Sequence, residues 1–307
     1  MPRRPQPILL YASFAAVYLI WGSTFAASKF AVTTLPPYLA SGVRFSSAGL
    51  LLVAFAAWRG VALPRSRREW GPIAMMAVFH VVLSSGLNMA AMPHVASNQS
   101  ALLNASAALW IALVGATGPN PHRLTARIWL GLALGFFGVG FLLWPSGGFS
   151  FANFGWQLLI IFACFSWAVG TRYYQGLKLG AMPLMFFGLE MLGGGLVLGT
   201  EGFAFGEGPH WSWDLSGLLA LAFLAVFSSC LAYTAYGYLM SHTTPARLST
   251  YAYVNPAIAA VVGWLALGER MSATQLVGTA VILAGVVLVS LPEAGTPALA
   301  QPSEPTG

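Results

Sequence analysis

Six polar or ionisable side chains lie deep inside long apolar stretches of the chain: Arg44, His80, Asn88, Asn104, Glu190 and Asn255. Polar groups at such depth are costly in hydrocarbon and mark binding sites or proton paths. Arg44 and Glu190 are the charged members, and they stand 146 residues apart. Each lies seven residues past a proline, Pro37 or Pro183, hence about 10 Å into its stretch. A base and an acid at matching places form a candidate ion pair; the rival reading lets each side chain reach toward its own interface. Glu190 is also a candidate proton site in its own right. His80, roughly 12 Å into its stretch, has two readings of equal standing. It is a ligand or proton-carrying group, since imidazole titrates near neutrality, or it is a neutral ring bonded to a nearby carbonyl or to Ser84.

Aromatic residues supply the other half of a site. Trp21, Trp110, Trp167, Tyr233, Tyr236 and Tyr251 fall on the same apolar stretches. Tyr233 and Tyr236 are three apart, and Tyr251 and Asn255 are four apart, so each pair shares a helix face; Tyr253 points away from the second pair. Such faces hold an organic ligand, or a cation over a ring. Packing and anchoring at the membrane interface are the competing uses. With His80, Asn88, Asn104 and Asn255, these aromatics make the expected lining of a cavity for a small molecule. Asn255-Pro256 frees backbone carbonyls inside the membrane, for a gate or for a plain kink. No metal and no cofactor are expected. Cys164 and Cys230 match no ligand or redox spacing and read as small buried hydrophobes, and no phosphate-binding loop is present.

The elements that must position these residues are membrane-spanning helices. Of the 307 residues, 57% are hydrophobic and only 7% are charged, where a soluble domain carries about a quarter charged. Ten stretches approach the roughly 20 apolar residues that a spanning helix needs: 8–29, 37–58, 72–92, 96–117, 125–144, 153–174, 182–202, 215–240, 245–267 and 273–291. Connections are short and leave no room for a soluble domain. Residues 292–307, rich in Pro, Ala, Gly and Thr, read as a disordered tail. The first stretch is too long for the apolar core of a signal peptide and is expected to be retained. Trp129, Trp144, Trp156, Trp211 and Trp213, near span ends, read as interface anchors.

The net charge of +6 is spread over many short segments, which argues against nucleic acid and for membrane topology. Arg3, Arg4, Arg59, Arg65, Arg67, Arg68, Arg123, Arg127, Arg172, Lys178 and Arg247 fall on one side of the membrane. Lys29 and Arg270 fall on the other. This eleven-to-two bias places both termini in the cytoplasm and the loop carrying Glu201, Glu207 and Asp214 outside.

The landmarks of the chain recur. Trp21 and Trp167, Pro37 and Pro183, Gly42 and Gly188, and Gly49 and Gly195 share the 146-residue offset, which slips to 147 for Gly131 and Gly278. We read two homologous halves, 8–146 and 153–291, of five spans each. An odd number of spans inserts the second half upside down. The two are then related by a pseudo-two-fold axis in the membrane plane, an architecture of secondary transporters with substrate bound near the midplane. In that frame Arg44 and Glu190 are expected to pair in one access state and part in the other. Gly131-x-x-x-Gly135 and Gly195-x-x-x-Gly199 are expected to permit close helix contact.

Trp21–Phe25 (WGSTF), Leu35-Pro36-Pro37 opening the second span, and LALGER at 265–270 before a Gly-rich last span together resemble the EamA family of the drug/metabolite transporter superfamily, over residues 8–291. The resemblance implies an all-α carrier of ten transmembrane helices in the bacterial inner (plasma) membrane, exporting small metabolites such as amino acids or toxic organic compounds. It also implies that spans 1, 3, 4, 6, 8 and 9 surround a central cavity while 5 and 10 lie at the periphery. The chain departs from the family at Gly118-Pro119-Asn120-Pro121-His122, which replaces a Gly-Glu that the second half keeps as Gly268-Glu269. A role needing both glutamates is therefore not carried over.

The leading function is secondary transport by alternating access. Its partners are a small-molecule substrate, the lipid bilayer and a proton as candidate coupling ion. The alternative is an integral membrane enzyme acting on a lipid-phase or small-molecule substrate. That would need clustered acids, a metal set or Ser with His, whereas the spans hold one acid and one firmly placed His. A scaffold or receptor would not require an inverted repeat.

Overall fold

The structure, a computed structural model, describes residues 7–95, 97–117, 124–142, 153–177, 183–267 and 273–291. The expectations for Trp144, for 118–122, for Gly268-Glu269 and for the tail 292–307 lie outside the described residues, as does the side chain of Lys29. Among the described residues every regular element is helical.

Helix α1 (Pro7–Thr34) and helix α2 (Pro37–Trp58) meet at a corner that Pro36-Pro37 imposes. Pro37 is preorganised for the first turn of α2. The amides of Tyr38 and Leu39 in that turn donate to the Glu207 carboxylate at 3.2 and 2.8 Å, a negative charge at the positive end of the helix dipole. Helix α3 (Arg67–Met76) begins before its apolar stretch, because Glu69 reaches back to accept the amides of Arg65 and Ser66 at 2.7 and 3.0 Å. It continues through a π-helical segment, Ala77–Gly86, into α4 (Leu87–Ala91). Helices α5 (Ser97–Ala105), α6 (Ala107–Gly115), α7 (Ala126–Leu142), α8 (Phe154–Gly176) and α9 (Pro183–Ala204) follow. Helix α10 (Leu215–Phe223) runs through a second π segment, Leu224–Ala232, into α11 (Tyr233–His242). Helices α12 (Pro245–Ser249), α13 (Tyr251–Leu267) and α14 (Ala273–Ser290) complete the order.

Among the described residues, six continuous helical stretches are long and apolar enough to cross a membrane: Pro7–Thr24, Pro37–Trp58, Arg67–Ala91, Phe154–Gly176, Pro183–Ala204 and Leu215–His242. Shorter apolar helices cover Leu102–Gly115, Ala126–Phe141 and Leu276–Ser290. The outer faces stay apolar. Leu50, Phe137, Leu196, Leu219 and Val287 are each more than half exposed, a surface suited to lipid rather than water. The apolar pattern predicts unbroken spans, but two of them contain π segments, and α5 is separate from α6 and α12 from α13. An all-apolar run carries no periodicity that would betray an extra residue in a turn.

Two antiparallel pairs are packed through glycine. On α2 and α9, a Cβ at Gly49 would come within 2.4 Å of the Leu192 amide nitrogen, and one at Gly195 within 2.4 Å of that of Ser46. On α7 and α14, Gly285 lies against Gly131 and Gly135. Small residues let these backbones touch, as at other helix interfaces in membranes. The contacts also fix the register of the first pair. With Gly49 opposite Leu192 and Ser46 opposite Gly195, Arg44 comes level with Val197, seven residues or about 10 Å from Glu190. Around the centre, α1 packs on α13 and on the α10–α11 rod, while α8 packs on α6 and on the first π segment.

Candidate functional site

A cavity of about 200 Å³ lies where α1, α2, α8, α13 and the two π-containing rods converge. α1 contributes Trp21, Thr24 and Ser28, and α2 contributes Arg44 and Phe45. The first rod adds Ser84, Ser85 and Asn88, the second adds Ser228 and Tyr233. Asn104 of α5, Cys164 and Trp167 of α8, and Tyr251 and Asn255 of α13 close the wall.

Trp21 is the hub of the aromatic side. Its ring centroid lies 5.6 Å from Trp167, 5.2 Å from Tyr251 and 5.1 Å from Tyr236, the spacing of favourable edge and offset contacts. Its Nε1 donates to the Ser228 carbonyl at 3.4 Å. That carbonyl belongs to the second π segment, where the wider turn disturbs the regular ladder. The first π segment does the same, and there Ser85 Oγ donates to the His80 carbonyl at 3.0 Å. On the opposite wall Asn88 donates to Asn104, which in turn donates to the Ser100 carbonyl at 2.9 Å.

Arg44 reaches across to the second rod. Its Nε donates to Ser229 Oγ and its Nη2 to Ser228 Oγ, each at 2.9 Å, and its guanidinium stands 4.7 Å from the Phe45 ring centroid. Glu190 is not among its partners. The carboxylate is fully buried on α9, where Tyr233 Oη donates to its Oε1 at 2.5 Å and His80 Nδ1 stands 3.3 Å away. His80 Nδ1 also meets Tyr233 Oη at 2.8 Å, and its Nε2 meets the Trp167 carbonyl at 3.2 Å. The imidazole stacks on Trp167 at 4.2 Å. Gly170 makes the room, since a Cβ there would fall 2.5 Å from His80 Cδ2.

Two of this cluster's proton arrangements bear on proton transfer. In one, imidazolium donates from both nitrogens, to Tyr233 and to the Trp167 carbonyl, while Tyr233 donates to an ionised Glu190. In the other, a protonated Glu190 donates to Tyr233, Tyr233 donates to a neutral His80, and Nε2–H still meets the carbonyl. Tyr233 is the shared element, because its hydroxyl both donates and accepts.

The residues expected at the cavity therefore separate into three sets. Trp21, Asn88, Asn104, Trp167, Tyr233, Tyr251 and Asn255 border it, together with Arg44. His80, Tyr236 and Glu190 are fully buried behind that wall; Tyr236 Oη accepts from Trp167 Nε1 at 2.9 Å and bonds Thr171 at 2.8 Å. Trp110 packs edge-on against Phe165 at 5.3 Å and is not on the wall. The serines on the two rods were missed. A signal did exist: Leu83-Ser84-Ser85 and Phe227-Ser228-Ser229 repeat a Ser-Ser pair on the third and eighth apolar stretches.

Comparison with known proteins gives a family. The profile of the EamA-like transporter family matches residues 8–144 and again 154–291. The chain is 34% identical to the uncharacterized inner membrane transporter YedA of Escherichia coli, over 93% of this chain and 92% of that one. It is 29% identical to a chloroplastic WAT1-related protein of Arabidopsis thaliana, over 90% of this chain and 68% of the relative. An uncharacterized transporter of Archaeoglobus fulgidus is 30% identical over 90% and 95%. A crystal structure at 19% identity superposes with a TM-score of 0.78, covering 93% of this chain and 98% of the other, and so shares the fold.

Proposed function

Because the chain belongs to the EamA-like transporter family, we propose that it is a secondary transporter moving a small metabolite outward across a bacterial inner membrane by alternating access. The observation that carries this reading is a cavity of about 200 Å³, lined by polar and aromatic side chains, among helices whose outer faces suit lipid. The volume fits a metabolite better than a drug-sized molecule. The names of the family and of the relatives point to a transporter rather than an enzyme.

Ten crossings in two inverted halves, with both termini cytoplasmic, are the topology we propose. The helix contacts come in matched sets. α2 lies on α9 and α7 on α14, α1 on α13 answers α8 on α6, and α1 on the second π segment answers α8 on the first. The family profile matches each half separately. Both features are what a pseudo-two-fold axis produces. The wall residues are the proposed substrate contacts, and Glu190 with His80 and Tyr233 is the proposed proton-coupling group. Arg44 and Glu190 stand apart in this structure, each tied to the α10–α11 rod, so that movement of one rod reaches both charges.

The test is flux in liposomes containing only this protein. Uptake and release of amino acids, polyamines and organic cations are followed with and without a pH gradient. Protein-dependent flux of one class supports the reading, and no flux across the whole panel overturns it. Reporter fusions after residues 65 and 292 should report cytoplasm and one after 208 the outside; a cytoplasmic signal at 208 overturns the inverted arrangement.

A further inference from the structure

We infer that Arg44 is an anion anchor and that the solute held in the cavity is a small carboxylate, a refinement that rests on the transport reading above. Among the described wall residues, Arg44 carries the one formal charge. A guanidinium has five N–H donors. Nε is used by Ser229 and Nη2 by Ser228, both neutral hydroxyls, and among the described residues no carboxylate is its partner. A charge taken out of water without a counter-ion is costly, inside a membrane above all. The two serines fix the plane of the guanidinium and leave Nη1 and the second Nη2 proton unbonded. A carboxylate accepts from such a fork through two parallel bonds.

Asn255 on another helix also borders the cavity, but its Oδ1 is shut away from that space and has no donor among the described residues, so it makes no demand on the solute. The wall thus asks for an anionic group at Arg44. A cationic solute meets a like charge and no wall carboxylate.

The experiment is direct binding to the purified full-length protein in nanodiscs, read by tryptophan fluorescence, since Trp21 and Trp167 border the cavity. The probes are phenylacetate, phenylacetamide and 2-phenylethylamine, which share a ring and differ in charge. Phenylacetate should bind about tenfold or more tighter than the amine, the effect of one charged hydrogen-bonded contact. Arg44→Gln should erase that preference, and Arg44→Lys should keep part of it. Amine binding as tight as phenylacetate binding, wild-type phenylacetate affinity in Arg44→Gln, or no binding of any probe overturns the inference. The wild-type comparison decides alone if the variants do not fold. Phenylacetate bound but never moved in liposomes would leave the anchor standing and remove the transport reading; amine flux would do the reverse.

Discussion

Arg44 and Glu190 stand on two helices pressed together through glycine, yet their surroundings differ in kind. Arg44 opens onto the cavity, and its partners are serine hydroxyls that can turn to donate or accept. Glu190 is sealed, and its partners are a tyrosine and an imidazole that can pass a proton. Both sets meet on one continuous rod, with Ser229 and Tyr233 one helical turn apart. On the proposed reading, one half of the molecule has made this position a post for solute charge, and the other has made it a store for a proton. A rod that touches both can report one state to the other.

The largest effect should come from prising the two helices apart. A Cβ at Gly195 would sit 2.4 Å from backbone, so Gly195→Val is expected to cost about 3 kcal/mol or more. Gel filtration should then show little folded protein. Gly193, where a Cβ meets nothing within 4 Å, is the control, and Gly193→Ala should fold at least as well as the parent. Normal yields of Gly195→Val would mean that the pair is not held in this register.

Next comes the proton store. Glu190→Gln keeps an acceptor for Tyr233 but cannot ionise. Solute exchange at equal pH should persist, while accumulation driven by a pH gradient should fall by at least about tenfold, the equivalent of 1.4 kcal/mol. A variant that follows the gradient like the parent would remove Glu190 from coupling.

Much of this arrangement was legible in the sequence. Apolar runs of spanning length, opened by Pro37 and Pro183, gave the helices. Asn88, Asn104 and Asn255 pointed to the centre because hydrocarbon offers a polar amide no other partner. Depth was harder. The i, i+3 rule put Tyr233 and Tyr236 on one face, but one meets the cavity and the other is buried behind Trp167. A π segment just before them also turns the whole face relative to the preceding helix, and a uniformly apolar run such as Leu224–Phe227 gives no warning of it. Sequence alone leaves His80 open to two readings because its partners, Glu190 and Tyr233, lie more than a hundred residues away.

Charge exchange asks whether the two positions ever meet. Arg44→Glu and Glu190→Arg should each impair flux. The double variant is expected to recover none of it, because Tyr233 and His80 would face a buried cation in place of a carboxylate. Partial recovery, with both single variants folded, would instead show direct pairing in the other access state and shift coupling from Tyr233 to the ion pair itself.

The smallest effect is expected at Tyr253, a buried hydroxyl that serves neither charge. It is 1% exposed on α13, and its Oη has no hydrogen-bond partner among the described residues. Two residues from Tyr251, it faces away from the cavity and lays its ring over Gly135 of α7, where a Cβ would fall 2.3 Å from Cδ2. Tyr253→Phe removes a polar group that makes no bond, so flux should be unchanged and thermal stability unchanged or raised by about 1 kcal/mol. Tyr233→Phe removes an equally buried hydroxyl that joins Glu190 to His80, and pH-driven accumulation should be lost. Two conservative changes on buried tyrosines then differ only in what the oxygen touched. Equal losses in both would mean that any buried hydroxyl in this core matters, and the distinction between a coupling group and ordinary packing would fall.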